Sequence, residues 1–342
     1  MLLGQDVVVL DGPPRVSRGV LDALVRQGGV ARAGHKAPFS RLMGGKPTSH
    51  NPGMSFFQIV ILSVVQGLTE LLPVSSSAHV IVVEKLLGLD PSAPAMTLLL
   101  VMLHTGTMFA VIVFFWRRWR STFFPNVRAF WRFAWSVIVA TAATGIVGEL
   151  LIKVVEKTAF RGIPHGQIED LFSHLELIAP ALIVVGILIV IAGVLEKRGI
   201  AESQKHSYDF GCKRAGLIGI IQGLCLPFRG FSRSGATISI GMLAGVEKTR
   251  SEYFSFALAA VLTPPVVARE TWRLVRTEHP GGMSNIASAM MSSLVGAVAA
   301  FLAGLVALKW LSRWLETGRW HLFGIYCVVA GIIVAVLYRV GY

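Results

Sequence analysis

The sequence predicts an all-α polytopic membrane protein built from inverted-topology repeats, with six transmembrane spans plus two re-entrant helical hairpins. Three observations predict it. Of 342 residues, 54% are hydrophobic and 15% charged, whereas soluble domains carry about 25% charged residues. Several apolar runs approach the ~20 residues that a helix needs to cross a bilayer core. Two further apolar segments are each interrupted by proline and polar residues, and these two resemble each other. The same numbers exclude a disordered chain, a coiled coil and a collagen-like fibre.

Residues 1–53 hold seven Lys/Arg and three Asp, are rich in Gly and Pro, and show no sustained apolar run. Met54 directly precedes the apolar start Ser55-Phe56-Phe57. Residues 1–53 are therefore expected to be a disordered basic extension or a misassigned start, and 54–340 a single membrane domain. Ser55–Leu72 is interrupted by Glu70 and Pro73 and resumes over Ser77–Leu89. Ala95–Trp116 follows, 22 residues without a charge, then Phe133–Ile152 with Glu149 near its end, then uncharged Leu177–Leu195. In the second half, Ala215–Leu226 stops at Pro227 and a short run resumes over Ala236–Gly245. Tyr253–Ala268 is expected to end as a span at Pro264-Pro265, and Asn285–Leu308 and His321–Tyr338 complete the set.

The two interrupted segments match in order. Val64-Val65-Gln66-Gly67-Leu68 precedes Ser75-Ser76-Ser77-Ala78-His79, and Ile220-Ile221-Gln222-Gly223-Leu224 precedes Ser232-Arg233-Ser234-Gly235-Ala236-Thr237. Each is followed by three spans, so repeats are expected over 54–195 and 213–340. An odd number of spans per repeat inverts the second copy and brings the two polar turns together from opposite sides. Paired broken segments of this kind point to the binding site of inverted-repeat membrane proteins. Lys/Arg counts put the 117–132 and 196–214 loops, five each, in the cytoplasm against three each in the 153–174 and 269–284 loops.

Charges inside membrane segments are costly and mark function. They are Glu70, His79, Arg233 and, nearer the turn, Arg229, surrounded by Ser75, Ser76, Ser77, Ser232, Ser234 and Thr237. Hydroxyls, an arginine fork and a helix N-terminus beside Gly230 and Gly235 make a phosphate cradle. A carboxylate near an imidazole suits a general acid or a nucleophile. Each signal has a plainer reading. The triple serine can be an N-cap, Glu70 and Arg233 can be a structural pair between repeats, and His104 is read as a packed hydrogen-bonder. Gly241 and Gly245 suit helix packing. Both broken hairpins carry the polar set while the long spans carry almost none, which favours the functional reading. The three cysteines are widely spaced without CxxC and suggest neither a disulfide framework nor a zinc site.

At these residues the chain resembles the undecaprenyl-diphosphate phosphatase family of the bacitracin-resistance type. Gln66-Gly67-Leu68-Thr69-Glu70-Leu71-Leu72-Pro73-Val74-Ser75-Ser76-Ser77-Ala78-His79 is similar to that family's first motif, and Gly230-Phe231-Ser232-Arg233-Ser234-Gly235-Ala236-Thr237-Ile238-Ser239 to its second. His104-Thr105-Gly106-Thr107, Phe115-Trp116-Arg117-Arg118 and Ser251-Glu252-Tyr253-Phe254-Ser255-Phe256 resemble further family stretches. The resemblance implies ten helices and hydrolysis of undecaprenyl diphosphate to the monophosphate in the bacterial cytoplasmic (inner) membrane. That reaction recycles the lipid carrier of cell-wall synthesis. It also implies a functional core of Glu70, Ser76, His79 and Arg233 and support by a divalent cation, Mg²⁺ or Ca²⁺, with Glu70 as its ligand. Two departures stand out: Gln66 replaces a second glutamate, and Pro227-Phe228-Arg229-Gly230 makes the second turn one residue longer, bringing in Arg229.

The expected chemistry has Arg233 hold the diphosphate with Ser75, Ser77, Ser232, Ser234, Gly235, Thr237 and Arg229, while Ser76 or His79 attacks or activates water beside Glu70. The expected partners are the polyprenyl diphosphate lipid and the bilayer, with no nucleic acid; a homodimer is compatible with the sequence. A polyprenyl-phosphate transporter or flippase using the same cradle is the alternative. The motifs of the acid-phosphatase-like lipid phosphatases are absent. The net charge of +13 then divides into a basic N-terminal stretch, residues bordering spans, and one or two charges left for substrate.

Overall fold

The computed structural model describes residues 54–89, 94–159, 175–197, 211–277 and 283–340. The expectation for residues 1–53 lies outside them. The described residues form ten helices and no strand. In chain order these are α1 (Phe56–Leu71), α2 (Ser76–Leu86), α3 (Pro94–Phe123), α4 (Val127–Ala159), α5 (Leu175–Lys197), α6 (Cys212–Cys225), α7 (Arg233–Leu243), α8 (Lys248–Thr277), α9 (Met283–Glu316) and α10 (Trp320–Val340). Six of them, α3, α4, α5, α8, α9 and α10, are long and apolar enough to cross a membrane. The other four are short and pair as α1–α2 and α6–α7, the two broken hairpins.

Local chemistry sets the hairpin boundaries. The Ser55 hydroxyl accepts from the Phe57 N–H (3.3 Å), and Gln58 accepts from the Ser55 N–H (2.9 Å), closing the start of α1. Pro73 pushes the residue before it into extended backbone, and Leu72 lies at ψ 149°. α6 ends at Cys225, two residues before Pro227, although Leu226 between them keeps helical angles (φ -65°, ψ -48°). In α7 the Ser232 hydroxyl accepts from the Gly235 N–H (3.2 Å), an N-cap of the ordinary kind.

One sequence expectation is corrected here. The span beginning at Tyr253 does not end at Pro264-Pro265, because α8 runs through both prolines to Thr277. Proline removes a helical N–H bond, but within a membrane bundle neighbouring helices and polar cavities can take over the freed carbonyls. One of these carbonyls belongs to Ala260, which lines the polar cleft described below.

Packing exchanges the repeats. α1 lies along α9, and α6 lies along α4, so each entering half-helix rests on the middle span of the other repeat. The repeated Gln-Gly-Leu makes this possible. A Cβ on Gly67 would come within 2.6 Å of the Ala300 carbonyl of α9, and one on Gly223 within 2.9 Å of the Thr144 carbonyl of α4. The shared motif is thus a close-packing signal. α5 and α10, the last spans of each repeat, form the most extensive pair, with Gly186 and Gly324 directly opposed. α3 packs on α8 through Phe115, which stacks on Phe256 (5.2 Å between ring centres) and meets Tyr253 edge-on (5.5 Å). Beside them Ser312 donates to buried Glu252 (2.8 Å), and the Arg118 guanidinium sits over the Phe114 ring (4.6 Å). The aromatic-arginine and Ser-Glu-Tyr stretches singled out in the sequence serve this helix contact.

Candidate active site

The two hairpin turns meet, and Glu70 is the link. At the end of α1 its Oε1 accepts from Arg233 Nη2 at 2.8 Å. Its Oε2 accepts from the Ser76 hydroxyl, the shortest hydrogen bond of the group, and from Gln66 Nε2 at 3.2 Å. His104 Nε2 stands 3.7 Å from the same oxygen. Ser76 and Arg233 are the first residues of α2 and α7, so both helix N-termini converge on one carboxylate from different repeats. The pairing of Glu70 with Arg233, one of the plainer readings of the sequence, is therefore present, and it also carries Ser76.

A small cleft opens beside this group, lined among others by Glu70, His104, Thr107, Arg233, Phe256 and Thr263. The Glu70 side chain is 14% exposed and that of Arg233 28%, so both are desolvated yet reachable from the cleft. Its walls are α3 and α8, and its floor is the pair of hairpin turns.

The remaining predicted residues mostly tie the turns together. Ser77 accepts from the Gly230 N–H (3.3 Å) and lies 3.3 Å from the Ser75 hydroxyl. Ser234 donates to the Leu72 carbonyl (3.4 Å), crossing from the second hairpin to the first. Thr237 donates to the Arg233 carbonyl (2.8 Å) and pairs with Ser255 of α8 (2.6 Å). Ser232 and Gly235 are spent on the helix cap. Arg229 is exposed on the turn and coupled electrostatically to Glu84 of α2, and it does not line the cleft.

His79 departs from its expected place. The imidazole beside Glu70 is that of His104, whose Nδ1 also bonds the Leu100 carbonyl (2.8 Å). His79 instead places Nδ1 on the Ser75 carbonyl (2.7 Å) and Nε2 on the Tyr326 hydroxyl of α10 (2.7 Å). The residues alone made His104 a packing group and gave no site role to Tyr326, Thr107, Thr263 or Ser255. His104-Thr105-Gly106-Thr107 and Ser251-Glu252-Tyr253-Phe254-Ser255-Phe256, outside the two main motifs, were the stretches that pointed toward Thr107 and Ser255.

The donor set does not fit a resident divalent cation. Both Glu70 oxygens already accept hydrogen bonds, one of them from a guanidinium. Its neighbour Gln66 brings no charge. The described residues contain no group of three His, Cys, Asp or Glu side chains placed to hold a metal.

The fold and site define a class: a multi-pass membrane protein of exchanged repeats whose two broken hairpins present a carboxylate and an arginine to one cleft, with a serine hydrogen-bonded to the carboxylate. The family model described as "Bacitracin resistance protein BacA" matches residues 59–333, and the chain belongs to this family. It is 52% identical over 287 residues to "Undecaprenyl-diphosphatase 2" of Acinetobacter baylyi, covering 83% of this chain and 98% of that protein. It is 34% identical over 290 residues to "Undecaprenyl-diphosphatase 2" of Burkholderia ambifaria and, equally, to "Undecaprenyl-diphosphatase 1" of Burkholderia pseudomallei, covering 82% of this chain and 95% of each.

Proposed function

We propose that this protein is an integral-membrane phosphatase of the bacterial cytoplasmic membrane. It hydrolyses undecaprenyl diphosphate to undecaprenyl phosphate and inorganic phosphate, returns the lipid carrier to peptidoglycan synthesis, and by doing so confers bacitracin resistance. The observation that carries this reading is the Ser76–Glu70–Arg233 chain of hydrogen bonds, of which Glu70 and Arg233 line the cleft. The names of the relatives support the same substrate.

The chemistry follows from the atoms. Arg233 spends one N–H on Glu70 and keeps further donors for phosphate oxygens. The N-termini of α2 and α7 add free N–H groups and the positive ends of two helix dipoles. Phosphoryl transfer needs mainly such positioning and charge stabilisation. The Ser76 hydroxyl, already aimed at Glu70, passes its proton to the carboxylate as its oxygen bonds the terminal phosphorus. The bond from phosphorus to the bridging oxygen breaks, its electron pair leaves with undecaprenyl phosphate, and Glu70 hands the serine proton on to that departing oxygen, which restores the carboxylate. Water then displaces serine from the phosphoserine, giving its protons to the serine oxygen and to phosphate. Ser76 is favoured over His79 as nucleophile because both His79 ring nitrogens are engaged elsewhere.

Purified full-length protein in detergent is given polyprenyl diphosphate, and phosphate release is followed. Wild type is expected to release phosphate, and Ser76→Ala to form no phospho-enzyme. No release from wild type defeats the function. A trapped phospho-enzyme that is acid-labile, as phosphohistidine is, defeats the assignment of Ser76.

A further inference from the structure

The first hairpin contains a residue whose backbone is costly to hold. Ser75 has φ 67° and ψ 94° and is the only non-glycine with positive φ among the described residues. Non-glycine residues in that region store strain that the surroundings must hold in place. Its own hydroxyl does not cap α2. The cost is met at the other end of the chain, on α10.

Two neighbouring residues of α10 reach this turn. Cys327, fully buried, donates its S–H to the Pro73 carbonyl (3.3 Å). Tyr326 stands with its ring nearly parallel to that of His79, 11° apart, and its hydroxyl 2.7 Å from Nε2. A carbonyl can only accept, so His79 Nδ1 carries the proton donated to Ser75, and the neutral ring accepts from Tyr326 at Nε2. The strut therefore runs from the Tyr326 hydroxyl through His79 to the Ser75 carbonyl. α10 is itself anchored along α5 by directly opposed glycines, and its Trp320 donates to Ser239 of α7 (3.0 Å), so it braces both hairpins.

We propose that Tyr326 is a positioning residue for the reaction: acting through His79, it holds the Ser75 carbonyl and so keeps the left-handed turn that presents the Ser76 hydroxyl to Glu70. This rests on the phosphatase reading above. It gives His79 a role that needs neither attack on phosphorus nor proton transfer. Tyr326→Phe removes one oxygen and leaves the stacked ring.

The test is steady-state hydrolysis of polyprenyl diphosphate by the full chain in detergent, with Tyr326→Phe made in the natural sequence and in a Ser75→Gly background. Misplacing a reacting group by a fraction of an ångström to 1 Å costs up to about 100-fold. Tyr326→Phe is expected to lower kcat by roughly 10- to 100-fold with KM changed less than about threefold, because Arg233 is untouched. Glycine holds positive φ without strain, so in the Ser75→Gly chain the same substitution is expected to cost less than about threefold. A full penalty in both backgrounds, a loss appearing in KM instead of kcat, or no penalty in the natural sequence overturns the proposal. An inactive wild type instead defeats the phosphatase reading itself.

Discussion

The two broken hairpins are related in sequence and equivalent in place, yet each solves the same geometric problem differently. Each needs one left-handed residue in or beside its turn. The second uses Gly230 at φ 96°, which costs nothing sterically, and caps its outgoing helix with Ser232. The first uses Ser75 at φ 67°, leaves that helix without a side-chain cap, and hands the turn to α10 for support. Equivalent positions then hold opposite chemistry: Ser76 opens α2, and Arg233 opens α7. The relaxed hairpin carries the cation Arg233, and the strained one carries Ser76, the group proposed to react. A binding charge tolerates a generic scaffold, whereas an attacking oxygen needs a direction, and strain held by neighbours provides one.

The largest effect that sharpens this contrast is expected at the shared carboxylate. Glu70→Gln removes the proton acceptor of Ser76 and leaves Arg233 without its counter-charge, so kcat is expected to fall by about 10³-fold or more in the phosphate-release assay. Activity within tenfold of wild type would break the division of labour. Next is Gly230→Ala. A Cβ there meets the Ile178 carbonyl at 2.7 Å and forces a non-glycine to φ 96°, at a cost on the order of 2–3 kcal/mol. Thermal unfolding in detergent is expected to show a clearly lower midpoint, and an unchanged midpoint would remove the claim that this turn depends on glycine. The smallest effect separates the two caps. Ser232→Ala is expected to destabilise by about 1 kcal/mol. Ser75→Ala, which loses no cap, is expected to cost less, and equal losses in the same melting experiment would erase the difference between the hairpins.

Much of the site was legible because charge in an apolar segment is conspicuous. Glu70 and Arg233 stand out wherever hydropathy is read along the chain, and the serines announce a helix start after Pro73 and after Gly230. His79 stood out equally, and its partner did not. Tyr326 lies 247 positions away in an apolar span where a tyrosine reads as lipid-facing or interfacial. His104 carries the reverse lesson: alone on a long apolar helix it reads as packing, but the approach of α3 to α1 puts its Nε2 beside Glu70. Arg229 was drawn toward the substrate by its nearness in sequence to Arg233. The helix start between them turns the two side chains to different places, and Arg229 stays outside the cleft. Pro264-Pro265 looked like a stop, because local rules price the lost hydrogen bonds and cannot see the helices that support α8.

By itself the sequence determined the class of protein, the six spans, the two interrupted segments and their kinship. All of these depend on hydropathy and local backbone chemistry, which act over a few turns of helix. Tertiary structure alone decided that Gln-Gly-Leu is a packing surface between exchanged repeats, that Glu70 bridges Ser76 to Arg233, and that a tyrosine near the C-terminus braces the first turn. Such contacts join residues that only the folded bundle brings within hydrogen-bonding distance, where a geometry good to tenths of an ångström sets the interaction.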